Sequence, residues 1–357
     1  MTRMPLPPPR HRLAGALTLA GLLTQIAGLG LDGLPSWSVS LPLWAASLLM
    51  WPDIPRRNQW QAGVLAVLGL AFLVLAVVGF DATPDITTLL DGNAFVVAML
   101  VGVSFIALIG RPSEGPPNSE PVTGRRGLAG TWLGVQLLGA ILNLSAVFMV
   151  GDRLERRGRL LEVQLLGLNR GLSSAAMWSP FFAAMGVAVS LAPSLEYTTV
   201  LAAGLPLAFA GGLYSVFELS RRFDVSEVPG FSLSPRSLLM PASVAGLVMV
   251  FHYVITPSLT IVSIITFLMP TLALAANLAR GAAATRERLV RHLHYRLPGM
   301  RGEITLFLCA GLLTKGLSIL VAAATNGDWT LFADFGVGPA MLSYVAIVAS
   351  AIAGLHP

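Results

Sequence analysis

Apolar residues in this chain run in long unbroken blocks, at 13–31, 38–51, 62–80, 93–110, 127–151, 172–192, 197–219, 238–255, 259–279, 303–324 and 337–356. A helix rising 1.5 Å per residue needs roughly 17 to 25 residues to cross about 30 Å of hydrocarbon, and most of these blocks have that length. Each is read as helix. A lipid-exposed sheet edge would leave backbone N–H and C=O groups unpaired, and a barrel would show short alternating strands instead. The pattern therefore predicts an all-α polytopic membrane protein with about ten hydrophobic segments. The block at 38–51 is short for a span.

Composition agrees. Hydrophobic residues make up 55% of the chain, charged residues 11%, and the mean hydropathy is +0.74, beyond the range of an ordinary soluble domain. The net charge of +5 comes from arginine, with Lys315 the single lysine. Because the arginines sit in short loops between apolar blocks, they read as topology signals and not as a nucleic-acid footprint. Cys309, the single cysteine, lies inside an apolar block, which excludes a disulfide and a thiolate cluster and leaves helix packing. Arg3, Arg10 and Arg12 before the first block invite a signal-peptide reading. A first membrane helix fits better, because the block is long and lacks a small-residue cleavage site.

Arginine accumulates on the cytoplasmic side. With residues 1–12 inside, Arg56 and Arg57 fall inside, Asp81, Asp85 and Asp91 outside, and Arg111, Arg125 and Arg126 inside again. Alternation then fails. The block at 127–151 is followed by Arg153, Arg156, Arg157, Arg159 and Arg170, which a single crossing would place outside. A re-entrant helical hairpin, entering and leaving on the cytoplasmic side, removes the conflict, with Gly139 and Asn143 as poor helix formers near its tip. Glu196 then lies outside, Arg221, Arg222 and Arg236 inside, and the basic stretch 280–301 inside on the anionic leaflet surface.

The second half echoes the first. The block at 93–110 is matched in character by 303–324, and 138–146 by 349–357, so residues 13–192 are expected to form a first repeat and 193–357 a second, inverted one. The chain stops where the second hairpin would turn, and about 80 to 120 further residues are expected in a full second copy. Asn143-Leu144-Ser145 at the first hairpin, and Ser173-Ser174 to Ser179-Pro180 in the broken block 172–192, resemble the ion transporter superfamily of secondary carriers. That superfamily includes citrate, dicarboxylate and arsenite carriers and the large membrane subunit of binding-protein-dependent carriers. The resemblance implies an inverted-repeat bundle with the substrate between two hairpin tips, one bundle moving against a scaffold.

Polar side chains inside apolar blocks carry the candidate chemistry, because they are costly there. Asn143 and Ser145 at the tip could coordinate an ion or an anionic group, or simply bond to a neighbouring helix. Pro180 breaks its block by removing a donor and clashing one turn back, which makes Ser173, Ser174 and Ser179 candidates beside freed carbonyls. Lys315 is a cation within an apolar block that could bind an anionic solute, stand in for sodium, or snorkel. His356 lies near the second tip and His252 near the outer end of its block, where a titrating histidine could couple to protons.

Other motifs fail on context. Gly28, Gly30 and Gly33 fit a dinucleotide fingerprint but end a membrane block, and His292 and His294 have no acidic or thiol companions for a metal. No phosphate-binding loop is present, and neither clustered carboxylates nor large extramembrane loops support the rival reading, an enzyme acting on lipid-linked substrates. A non-catalytic membrane scaffold is a third reading. The sequence thus points to a secondary active transporter in the cell membrane and not to an enzyme. The expected solute is small, with an anion the natural partner of Lys315, and sodium or protons would couple its movement without a bound cofactor. Its partners are the bilayer and the solute, with a homodimer as a candidate assembly and no role for nucleic acid.

Overall fold

The computed structural model describes residues 7–31, 33–109, 122–191, 196–232 and 235–325. Val337 to Pro357, with His356 and the expected second hairpin, lie outside the described residues. All regular elements among the described residues are helices, in the order α1 (Pro9–Ala27), α2 (Trp37–Met50), α3 (Arg56–Phe80), α4 (Ile86–Leu90), α5 (Ala94–Ser104), α6 (Gly124–Leu142), α7 (Leu144–Glu155), α8 (Glu162–Ala176), α9 (Ala183–Leu191), α10 (Tyr197–Arg222), α11 (Pro235–Val250), α12 (Ile261–Leu278), α13 (Ala282–Arg291), the single turn α14 (Leu297–Gly299) and α15 (Arg301–Ala324). Five segments are long and apolar enough to cross a membrane: Arg56–Phe80, Thr87–Leu108, Tyr197–Arg222, Ile261–Leu278 and Arg301–Ala324. The other described apolar blocks form helices that miss that combination of length and apolar character or are interrupted. The first begins at Pro9 and ends at Ala27, before the glycine-rich turn that the sequence had included in the span.

The chain gathers into two compact units. One holds the described residues within 7–21, 33–95 and 298–325, the other those within 22–31 and 96–297. Each draws on both halves of the sequence.

In the first unit α15 is the central helix. Gly69 of α3 would press a Cβ against the Leu312 backbone at 2.8 Å, and Gly316 returns the contact on Gly69, so the two backbones approach as only small residues allow. Polar side chains fix the register. Asn93 donates from Nδ2 to the Phe307 carbonyl at 3.1 Å, and the Ser47 and Thr305 hydroxyls share a hydrogen bond of 2.5 Å. In lipid, where one apolar surface is as good as another, such contacts decide which helices meet. The opposite face of α3 stays exposed, with Val67, Val74 and Val78 outward.

The second unit is built on α6. The Thr131 hydroxyl accepts from the Phe231 backbone N–H at 3.0 Å, and the Trp132 indole fits over Gly212 of α10 and donates to the Ser174 hydroxyl of α8 at 3.3 Å. The loop after α10 straps the start of α6. Gly230 donates to the Val122 carbonyl at 2.8 Å, Gly124 to the Val228 carbonyl at 3.2 Å, and Gln164 of α8 donates to the Pro229 carbonyl at 2.7 Å. α12 lies against the end of α5, Gly102 providing the close approach to Thr266.

Candidate functional site

The block at 127–151 is two helices joined at one residue. Asn143 sits at φ 53° and ends α6, while its side-chain oxygen accepts from the Leu144 N–H at 2.9 Å to cap α7. With ψ at −139° this lies outside the left-handed helical region that asparagine commonly adopts, so the backbone at Asn143 is strained and glycine would suit it better. The two helices fold back along each other. Val135 and Leu138 of α6 share a buried cluster with Ala146, Val150 and Leu154 of α7. The Arg153 guanidinium stands 5.2 Å from the Phe231 ring, whose backbone is bonded to Thr131, so a residue ten past the turn is level with one twelve before it. The start of α6 and the end of α7 therefore meet the same loop: Gly127 touches Gly230, and Arg157 donates to the Gly230 carbonyl at 3.5 Å. Gly139 does not break the helix but lies inside α6, where a Cβ would come within 3.3 Å of Leu172 and 3.8 Å of Ala146. It is small so that α7 and α8 can approach.

The second interruption lies at Pro180. α8 starts at Glu162, ten residues before the apolar block, and ends at Ala176. The chain then leaves helical geometry through Met177 to Phe182 before α9 resumes. Arg170, expected in a loop, is instead within α8 and pairs with Glu218 of α10 at 2.6 Å. The helix start moves because the Gln164 side chain accepts from the Leu161 N–H at 2.8 Å and closes the first turn.

These two breaks meet. Ser179, fully buried, donates to the Ala140 carbonyl in the last turn of α6 and accepts from the Phe181 N–H at 3.2 Å. One turn before Ala140, and so on the same face of α6, Gln136 is fully buried with neither amide atom bonded among the described residues. The Trp178 indole N–H is likewise buried without a partner. Unmatched buried polar groups are rare and costly, and they concentrate where a ligand, a water or a second conformation completes them. A cavity of about 410 Å³ opens beside the break, with Pro180, Glu196, Tyr197, His252, Tyr253 and Thr260 among its lining. Tyr197 ties it to the break by donating to the Trp178 carbonyl at 2.5 Å.

The other predicted residues scatter. Ser174 donates to the Arg170 carbonyl at 2.8 Å while accepting from Trp132, and Ser173 turns outward onto the Asn169 carbonyl at 3.1 Å. Ser145 accepts from the Arg296 guanidinium at 2.6 Å. Lys315 is on α15 of the first unit, partly exposed, one residue before the glycine that packs on α3, and no described residue bonds to it. Gln136, Trp178, Glu196, Tyr197, Tyr253 and Thr260 were not anticipated. Gln136 was detectable as an amide within an apolar block; the others acquire meaning only through the cavity.

The basic stretch 280–301 does not simply lie on a surface. Arg280 donates to the Ile109 carbonyl at 2.5 Å and Arg288 to the Asn277 side chain at 2.7 Å. His292 is 4% exposed, against the Phe105 ring at 4.6 Å and the Ser104 hydroxyl at 3.0 Å. Since Ser104 donates to the Val101 carbonyl at 2.6 Å, the histidine is the donor to Ser104. Burial, and then the charge of Arg296, push its pKa down to about 4. No group of three or more histidine, cysteine or acidic side chains able to hold a metal occurs among the described residues. The chain matches no protein-family model, no curated protein and no solved structure.

Proposed function

We propose that the chain is a secondary active transporter whose second unit bears the solute. The observation that carries this reading is the meeting of two interrupted helices, Ser179 beside Pro180 bonded to Ala140 beside the Asn143 turn, next to a largely apolar cavity that also presents Glu196 and His252. Interrupted helices expose backbone groups at membrane depth, which is tolerated where those groups line a protein cavity, and carriers place their solute there. In this reading α6 and α7 are a re-entrant hairpin, which accounts for arginine on both of its flanks. On the same reading the resemblance to the ion transporter superfamily extends to mechanism, with a sodium or proton gradient as the energy source in a cell membrane whose cytoplasmic side holds the amino terminus.

The test is gradient-driven uptake in proteoliposomes containing the full chain, across a panel of small carboxylates, amines and amino acids under sodium and proton gradients. At least one solute is expected to accumulate against its gradient, and Ser179→Ala to slow that uptake about tenfold while the protein stays folded, since the lost bond holds the two breaks together. A chain that reconstitutes intact yet moves no member of the panel refutes the carrier reading.

A further inference from the structure

The cavity beside Pro180 also bears on the kind of solute. Among the described lining residues its one carboxylate, Glu196, is exposed and accepts from the Thr198 hydroxyl at 3.2 Å, and no basic group among the described residues pairs with it. Neither lysine nor arginine is among the described residues that line the space. His252 is the basic lining residue, and its Nδ1 lies 3.1 Å from the Leu259 carbonyl, an acceptor that fixes that nitrogen as a donor and turns Nε2 away from it. Two aromatic rings complete the wall. Tyr197 has its hydroxyl committed to Trp178, leaving the ring, and Tyr253 is 54% exposed with its ring 4.8 Å from that of His252.

An unpaired carboxylate beside aromatic rings, with a threonine hydroxyl and aliphatic walls, is the chemistry that receives a cation with apolar flanks. A dicarboxylate would meet the charge of Glu196 with no arginine or lysine among the described lining residues to offset it, and like charges brought together repel. We propose that this cavity binds a small organic ammonium ion, Glu196 neutralising its charge and Tyr253 and Tyr197 covering its alkyl groups. The size fits: ligand pockets commonly run from about 300 to 1,000 Å³, and this one is about 410 Å³. The proposal names a solute class for the carrier reading above and rests on that reading only for the step of transport, so binding is measured apart from flux.

The experiment is calorimetric titration of the purified full chain in detergent with choline and tetraethylammonium, and with succinate as the anionic counterpart. Saturable choline binding is expected, weakened about five- to thirtyfold in Glu196→Gln, weakened similarly in Tyr253→Ala and restored in Tyr253→Phe, which keeps the ring. Glu196 and Tyr253 are exposed, so these variants should fold; their melting temperatures verify it. Absent ammonium binding, undiminished binding in Glu196→Gln, or succinate binding that Glu196→Gln strengthens overturns the proposal. Choline binding without uptake of choline or any other solute would uphold the cavity and sink the carrier reading. Uptake of another solute without choline binding would do the reverse.

Discussion

His292 is the residue whose neighbourhood most changes its chemistry. In the sequence it is one of two histidines in a basic stretch; in the fold it is a neutral donor to Ser104, buried against Phe105 with its pKa pushed down to about 4. A histidine whose folded pKa lies below its unfolded value near 6.5 binds fewer protons in the native state, so stability is full above pH about 6.5 and is lost as pH falls toward 4. Over that window the loss amounts to at most about 3 kcal/mol. The melting temperature of the detergent-solubilised chain should therefore fall between pH 7 and pH 4.5, and His292→Leu should remove much of that fall while also losing the bond to Ser104. An unchanged pH slope in His292→Leu would place the acid sensitivity elsewhere. Lys315 is the opposite case: its oddity was plain in the sequence, but α15 leaves it partly exposed and the fold assembles no described partner around it.

The elements divide along the same line. That the apolar blocks are helical follows from local chemistry. Where the helices break does not: Pro42, Pro206, Pro241 and Pro270 lie inside continuous helices while Pro180 interrupts one. Gly139 was the stronger helix breaker by propensity, yet the chain turns at Asn143, because Gly139 is needed where α7 and α8 crowd α6. The positive φ at Asn143 gives a sharp test. Asn143→Gly should leave the melting temperature nearly unchanged, because glycine adopts that conformation freely, whereas Asn143→Val should cost about 1 to 3 kcal/mol through strain and the lost cap. Equal stability of the two variants would mean that the turn is not held at this residue.

For the whole molecule, the decisive question is whether α6 and α7 enter and leave on one side. Single cysteines at Arg126 and Arg156, introduced in a Cys309→Ala background and labelled in sealed vesicles by an impermeant maleimide, should react from the same face. Labelling from opposite faces would make the segment a plain crossing and remove the hairpin from the mechanism. The sequence by itself determined that the chain is built of apolar helices, several long enough to cross a membrane, and that arginine crowds both flanks of 127–151. Those features follow from the transfer of side chains and backbone into lipid, which acts residue by residue and can be read along a line. Only the tertiary structure decided that Ser179 meets Ala140 across 39 residues, that Arg296 meets Ser145 across 151, and that Glu196, Tyr197 and Tyr253 wall one cavity. Apolar helices in lipid have no hydrophobic preference among neighbours. Close approach at small residues and a few polar bonds choose the partners, and those choices exist only once distant parts of the chain are side by side.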